Sequence, residues 1–270
     1  MHLKRWITGL AALPFLAFFI WMGGWTFGVF VAAAGVVALW EYYRIVFALG
    51  GPDAFSPIPF TGFLIGPLII GAACLGSPAA IIALVVADLL VVTLCGLYRY
   101  RFDATVVETI AKQLTGLIYI PVLLAHVILL RAAPAGIEWI VFLLVLVFAN
   151  DIGALYAGLS FGRHKLCPAV SPGKTIEGSI GGLSACIGLG ALYKQLFFPD
   201  LPWAPSLVFF LCVGVAGPLG DLFESMLKRH AKVKDSGVLF PGHGGILDRI
   251  DALLFAAPVA YYWRMYIFGG

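Results

Sequence analysis

Apolar residues run along this chain in long blocks separated by short polar segments, with no alternation of the kind a half-buried strand would show. A helix needs about 20 largely apolar residues to cross the hydrocarbon of a bilayer. About nine blocks of that length can be drawn, at roughly 6–22, 25–47, 58–76, 79–97, 110–130, 137–159, 178–198, 204–227 and 250–268. They predict an all-α integral membrane protein with about nine transmembrane helices. The separations are weakest at Met22, Gly23 and Gly24, between the first two blocks, and around Pro121. The first block follows Lys4 and Arg5 as a signal peptide would, but it runs straight into a second span and is read as a retained helix.

Composition supports this reading. The 270 residues are 61% hydrophobic and 11% charged, with a mean hydropathy of +1.00, whereas soluble domains are about 45–50% apolar and about 25% charged. The five cysteines lie far apart without a C-x-x-C pair, which argues against a disulfide framework or a zinc site. The net charge of +3 is small and its placement matters more. With the N-terminus in the cytoplasm, 14 of the Lys and Arg residues fall at cytoplasmic ends, and only Arg131, Lys194 and Arg264 at the opposite ends. That is a strong positive-inside bias. Trp6, Trp21, Trp25, Trp139, Trp203 and Trp263 fall near block ends, where indoles anchor at the interface. No basic run interleaved with aromatics suggests nucleic acid.

The chain divides into an N-terminal region, 1–136, of about five spans, and a C-terminal region, 137–270. The latter holds two longer inner connections, 160–177 and 228–249, rich in Gly, Pro, Lys, His and Asp. Long connections in a compact protein tend to be functional. Asp221, Glu224, Ser225 and Lys228 follow i, i+3, i+4, i+7 and share one helical face. Carboxylates there are expensive in lipid unless they meet a cation, a partner or water. Gly242, Gly244 and Gly245 lead into the last block, and a glycine-rich loop before a helix N-terminus suits a phosphate. Asp248 and Asp251 flank Arg249 at that N-terminus, partly as dipole complements. Hard carboxylate oxygens without thiolates select Mg²⁺ or Mn²⁺, and two such ions can clamp an in-line displacement.

The other connection contains Asn150-Asp151, Arg163 and the run Ser171-Pro172-Gly173-Lys174-Thr175-Ile176-Glu177-Gly178. Gly173-Lys174-Thr175 imitates the end of a P-loop, but the first glycine of that motif would fall at Pro168. Lys174 remains a phosphate ligand by position. Gly178 and Gly182 read as a helix-packing G-x-x-x-G pair. Asp88, alone in an apolar run, requires a partner or a packing role.

The runs Ser225-Met226-Leu227-Lys228-Arg229, Lys234-Asp235-Ser236-Gly237, Pro241-Gly242-His243-Gly244-Gly245 and Asp248-Arg249-Ile250-Asp251 resemble the family motif of the CDP-diacylglycerol synthases (phosphatidate cytidylyltransferases). Residues 171–178 are similar to a second family segment. That family usually carries Asp-Thr/Ser-x-Ala-Tyr where this chain has Asp151-Ile152-Gly153-Ala154-Leu155-Tyr156, so the hydroxyl is absent and the tyrosine is lost or shifted.

The resemblance implies transfer of the cytidylyl group of CTP to phosphatidic acid at the cytoplasmic edge of a bacterial-type plasma (inner) membrane. Asp221, Asp248 and Asp251 would bind Mg²⁺, one ion or two, with Mn²⁺ able to substitute. Glu224 counts with them, its division between metal, lysine and helix packing left open. Asp221, Asp248, Lys174 and Lys228 would be catalytic. Lys174, Lys228, Arg229 and His243 would contact phosphates. Arg163, Ser171, Lys234, Gly244, Gly245, Arg249 and Asp151 complete the implied substrate set. The expected partners are CTP, phosphatidic acid and the bilayer, without nucleic acid, and a homodimer is left open. The rivals are a CTP-dependent polyprenol or phytol kinase and an ion-coupled transporter built on Glu41, Asp88 and Asp151.

Overall fold

The computed structural model describes residues 13–47, 57–237 and 244–269. His243, Lys4, Arg5 and the start of the first apolar block lie outside them. Helices coincide with the predicted blocks: α1 (Leu13–Met22), α2 (Gly24–Val46), α3 (Pro57–Cys74), α4 (Pro78–Arg99), α5 (Val106–Leu117), α6 (Leu123–Ala132), α7 (Gly136–Phe161), α8 (Ile176–Phe197), α9 (Trp203–His230) and α10 (Leu247–Tyr266). A π turn, Ile118–Val122, joins α5 to α6. It contains Pro121, whose missing N–H breaks the regular ladder.

Among the described residues seven helices are long and apolar enough to cross a membrane: α2, α3, α4, the continuous Val106–Ala132, α7, α8 and α9. The described part of the first block is short, and α10 opens on charged residues, so neither α1 nor α10 is among the seven. On α4 only Ile81, Asp88, Val92 and Gly96 are buried, while Ile82, Leu90, Leu94 and Leu97 stand exposed. A helix apolar all round, with most of that surface open, has lipid as its solvent. The chain is an integral membrane protein built of apolar helices.

One of the two longer connections has structure of its own within the all-α frame. The 160–177 connection is largely ordered as an antiparallel hairpin of β1 (Lys165–Cys167) and β2 (Ser171–Thr175), with Lys165 opposite Thr175 and Cys167 opposite Ser171. Pro168, Pro172 and Gly173 prevent α7 from continuing into α8.

The chain forms two compact units: one of the residues up to Ala132 with His230–Arg249, the other of Ala133–Arg229 with Ile250 onward. In the first, Phe19 stacks on Phe30 at 4.5 Å between centroids. The Arg131 guanidinium donates to the Ile20 and Trp21 carbonyls at the end of α1. Asp88 is fully buried and accepts from Gln113 Nε2 at 2.9 Å, which also donates to Thr61. This is the partner a lone carboxylate in an apolar span requires.

In the second unit α7 and α8 approach through small residues. A Cβ on Gly182 would strike Asn150 and Ala154, and one on Gly178 would lie 2.9 Å from the Ala154 carbonyl. The G-x-x-x-G pair is thus a packing device. An aromatic cluster around Trp139, Phe142, Phe209 and Phe268 fills the end away from the hairpin. Lys194 and Arg264 are buried there, donating to the Pro199 and Pro134 carbonyls.

Candidate active site

Asn150 and Asp151 sit side by side on α7 and do different work. Pro218, inside α9, has no N–H for the Gly214 carbonyl four residues earlier. Asn150 Nδ2 fills that gap, donating to Gly214 O at 2.5 Å. Asp151, one residue on, has Asp221 and Lys174 as its charged neighbours.

The 171–178 segment resolves into separate tasks. Thr175 caps α8, its Oγ1 accepting from Gly178 N–H at 3.1 Å. Glu177 accepts from the Arg163 and His164 backbone N–H groups, and its Oε1 lies 2.6 Å from His164 Nδ1. It fastens the entry strand of the hairpin to the start of α8. With both ends held, Lys174 on β2 reaches Asp221 Oδ2 at 2.7 Å and the Pro218 carbonyl at 3.4 Å. Arg163 is exposed and Ser171 half-buried on this hairpin. Arg229, on α9, donates from Nε to the Val170 carbonyl at 3.1 Å, tying the hairpin to the helix.

Asp221 belongs to α9, where Ser225 Oγ lies 3.4 Å from its Oδ1. One turn on, Lys228 Nζ donates to Glu224 Oε2 at 2.6 Å, and Glu224 is only 1% exposed. Asp251, on α10, has Asp221, Lys228 and Asp151 as charged neighbours. Gly220 permits this meeting, because a Cβ there would run into the Asp251 carbonyl. The second unit therefore gathers three aspartates, from α7, α9 and α10, with Lys174 and Lys228 among them.

Asp248 is held within the first unit. Its Oδ2 accepts from Ser236 N–H at 2.9 Å, Ser236 Oγ at 2.7 Å and Gly245 N–H at 2.8 Å. Gly244 takes a left-handed φ of 76°, and a Cβ on it would collide with this carboxylate. Lys234 and Arg249 are exposed. Ile152, Leu155 and Tyr156 are exposed too.

Among the described residues no three His, Cys, Asp or Glu side chains close around a single point tightly enough to hold an ion by themselves. Mg²⁺ commonly binds through one or two carboxylates and completes its octahedron with substrate phosphates and water. Asp221 and Asp251, electrostatic neighbours with oxygen-only side chains, are the carboxylates that could take such an ion, and the two lysines could meet the phosphates. Glu41, fully buried on α2, was read from the sequence only as a transport carboxylate. The structure sets it against the segment carrying Asp248, where Ser236 Oγ lies 3.2 Å from its Oε2. Nothing in its sequence surroundings signals that contact.

Apolar helices presenting carboxylates and lysines together define a membrane-embedded enzyme of phosphate chemistry. The sequence model of the Cytidylyltransferase family matches residues 3–267, and the chain belongs to that family. It is 35% identical to the phosphatidate cytidylyltransferase of Bacillus subtilis (strain 168), over 96% of both chains. It is 30% identical to that of Synechocystis sp., over 97% of this chain and 96% of the relative. To the phosphatidate cytidylyltransferase of Haemophilus influenzae it is 42% identical over 49% of this chain and 47% of the relative.

Proposed function

We propose that this protein transfers the cytidylyl group of CTP to phosphatidic acid, giving CDP-diacylglycerol and pyrophosphate. The observation that carries the reading is the cluster of Asp151, Asp221 and Asp251 with Lys174 and Lys228, in a chain similar end to end to phosphatidate cytidylyltransferases.

The reaction joins two polyanions, and its main barrier is charge. A phosphate oxygen of the lipid attacks the α-phosphorus of CTP while pyrophosphate leaves in line. A phosphomonoester has a second pKa of about 6, so the nucleophile is already largely dianionic and needs no strong general base. Lys174, held by Asp221, and Lys228, held by Glu224, are preorganised cations that neutralise phosphate oxygens without reorganising. Arg229 secures the hairpin on which Lys174 stands. Asp221 and Asp251 would hold Mg²⁺, which supplies Lewis-acid neutralisation of phosphate charge when bound. Asp151 is a further charged neighbour of Lys174.

The same reading places the N-terminus and both polar connections in the cytoplasm, on nine spans of a bacterial inner membrane. CTP arrives from water, and the acyl chains stay in the bilayer. The 14 cytoplasmic cations against three opposite support this orientation.

The deciding assay uses purified protein in detergent with radiolabelled CTP, phosphatidic acid and Mg²⁺. CDP-diacylglycerol with pyrophosphate is the expected outcome. A phosphorylated lipid with CDP would make the protein a kinase instead.

A further inference from the structure

The Asp248 segment does not hold its shape by local contacts alone. Ser236 and Gly237 precede residues 238–243, and Gly245, Ile246 and Leu247 follow them, and both sides meet one side chain, Glu41 of α2. Glu41 Oε1 accepts from Ile246 N–H at 3.1 Å, and Oε2 accepts from Leu247 N–H at 2.8 Å. A Cβ on either Gly237 or Gly245 would collide with the same carboxylate. Glu41 is 0% exposed in an apolar helix, where a carboxylate is costly without compensation. Here the compensation is two backbone donors and the positive end of α10. The Ser236 hydroxyl lies 3.2 Å from Glu41 Oε2 and 2.7 Å from Asp248 Oδ2. The hydroxyl thus sits within hydrogen-bond distance of both carboxylates, so the positions of Glu41 and Asp248 are coupled through one side chain.

We propose that Glu41 is a positioning residue for the reaction: it holds the first turn of α10 and Ser236, and so fixes the direction in which Asp248 presents its carboxylate. The proposal rests on the reading that Asp248 serves cytidylyl transfer. Both Glu41 oxygens are used as acceptors, which makes the carboxylate itself the requirement. In Glu41→Gln one oxygen becomes an NH₂ group, which cannot accept, so either orientation of the amide loses one of the two backbone N–H bonds. Aspartate, one methylene shorter, keeps the charge and gives up reach.

The test compares the whole protein in detergent with Glu41→Gln, Glu41→Asp, Gly237→Ala and Asp248→Asn. Gly237→Ala leaves Glu41 intact but drives a methyl group into its carboxylate, so it reports on the same contact if Glu41→Gln folds poorly. Two readouts are taken per mole of folded enzyme. Hydrogen exchange follows the amides of Ile246 and Leu247, and kinetics separates kcat, KM for phosphatidic acid and the Mg²⁺ concentration for half-activation. In Glu41→Gln and Gly237→Ala, exchange at 246–247 should accelerate by about tenfold or more, the scale of one lost charge-assisted hydrogen bond. The Mg²⁺ requirement should rise with kcat falling and KM for phosphatidic acid unchanged, and Glu41→Asp should recover part of the loss. Unchanged exchange and kinetics in both variants would overturn the proposal. So would a lower yield of folded protein with an unaltered Mg²⁺ requirement. Normal turnover of Asp248→Asn would remove the reading beneath it, and the positioning role would fall with it. Impaired Asp248→Asn beside normal Glu41→Gln would sink the positioning role alone.

Discussion

Asp221 stands in several relationships at the candidate site: an ion pair with Lys174, a serine one turn away, and two neighbouring aspartates. Asparagine keeps its size and removes its charge. Asp221→Asn should therefore insert and fold while losing about 10²–10³ in turnover, the scale for removing one preorganised electrostatic group. Radiometric formation of CDP-diacylglycerol at limiting Mg²⁺ measures this, and near-normal turnover would discount Asp221. Lys174 differs, because it stands on a hairpin and meets Asp221 from the other chain segment. Lys174→Ala should raise the CTP concentration for half-maximal rate more than it lowers kcat, and an unchanged CTP dependence would make the lysine purely structural. Lys174, Asp221 and Asp251 were readable as candidates because polar residues in apolar surroundings stand out. Glu41 was not, since its partners are backbone N–H groups about 200 residues away, and a sequence carries no mark of them.

At the scale of elements, what aligns these side chains is the repair of interrupted helices and the close approach of small residues. Pro218 frees a carbonyl in α9, and Asn150 satisfies it from α7. Asn150→Leu would leave that carbonyl buried without a donor, at a cost of about 1–3 kcal/mol. A lower midpoint of thermal unfolding in detergent should report the loss, and an unchanged midpoint would show that water or a neighbour replaces the amide. Gly182 packs directly against Asn150 and Ala154 of α7. Gly182→Val should destabilise the unit by at least the roughly 1–3 kcal/mol typical of overpacking, read in the same melt. The helices themselves follow from apolar block length, and all coincide with blocks visible in the sequence. The hairpin was not visible, because two strands of three and five residues lack the length for an alternating pattern.

Over the whole molecule, the proposed orientation rests on charge placement. The three cations assigned to the outer side, Arg131, Lys194 and Arg264, all bond backbone carbonyls. Each is held by the fold, and the proposed orientation rests on the remaining cations. Cysteine labelling tests this in a background lacking the five native cysteines. Asp200→Cys should react with a membrane-impermeant maleimide in intact cells, and Asp103→Cys only after permeabilisation. The reverse pattern would invert the protein and remove CTP from its proposed site.

The sequence alone determined that this chain lives in a membrane, where its apolar helices fall, and which residue types could handle phosphate, because lipid demands long apolar runs and makes each charge within them conspicuous. The tertiary structure decided which carboxylates share a neighbourhood. It set Asp151 with Asp221 and Asp251, gave Glu224 to Lys228, and bound Asp248 to Ser236 on a segment held by Glu41. Those assignments depend on glycines that let backbones touch and on backbone donors supplied from distant segments, and neither is written in the local order of residues.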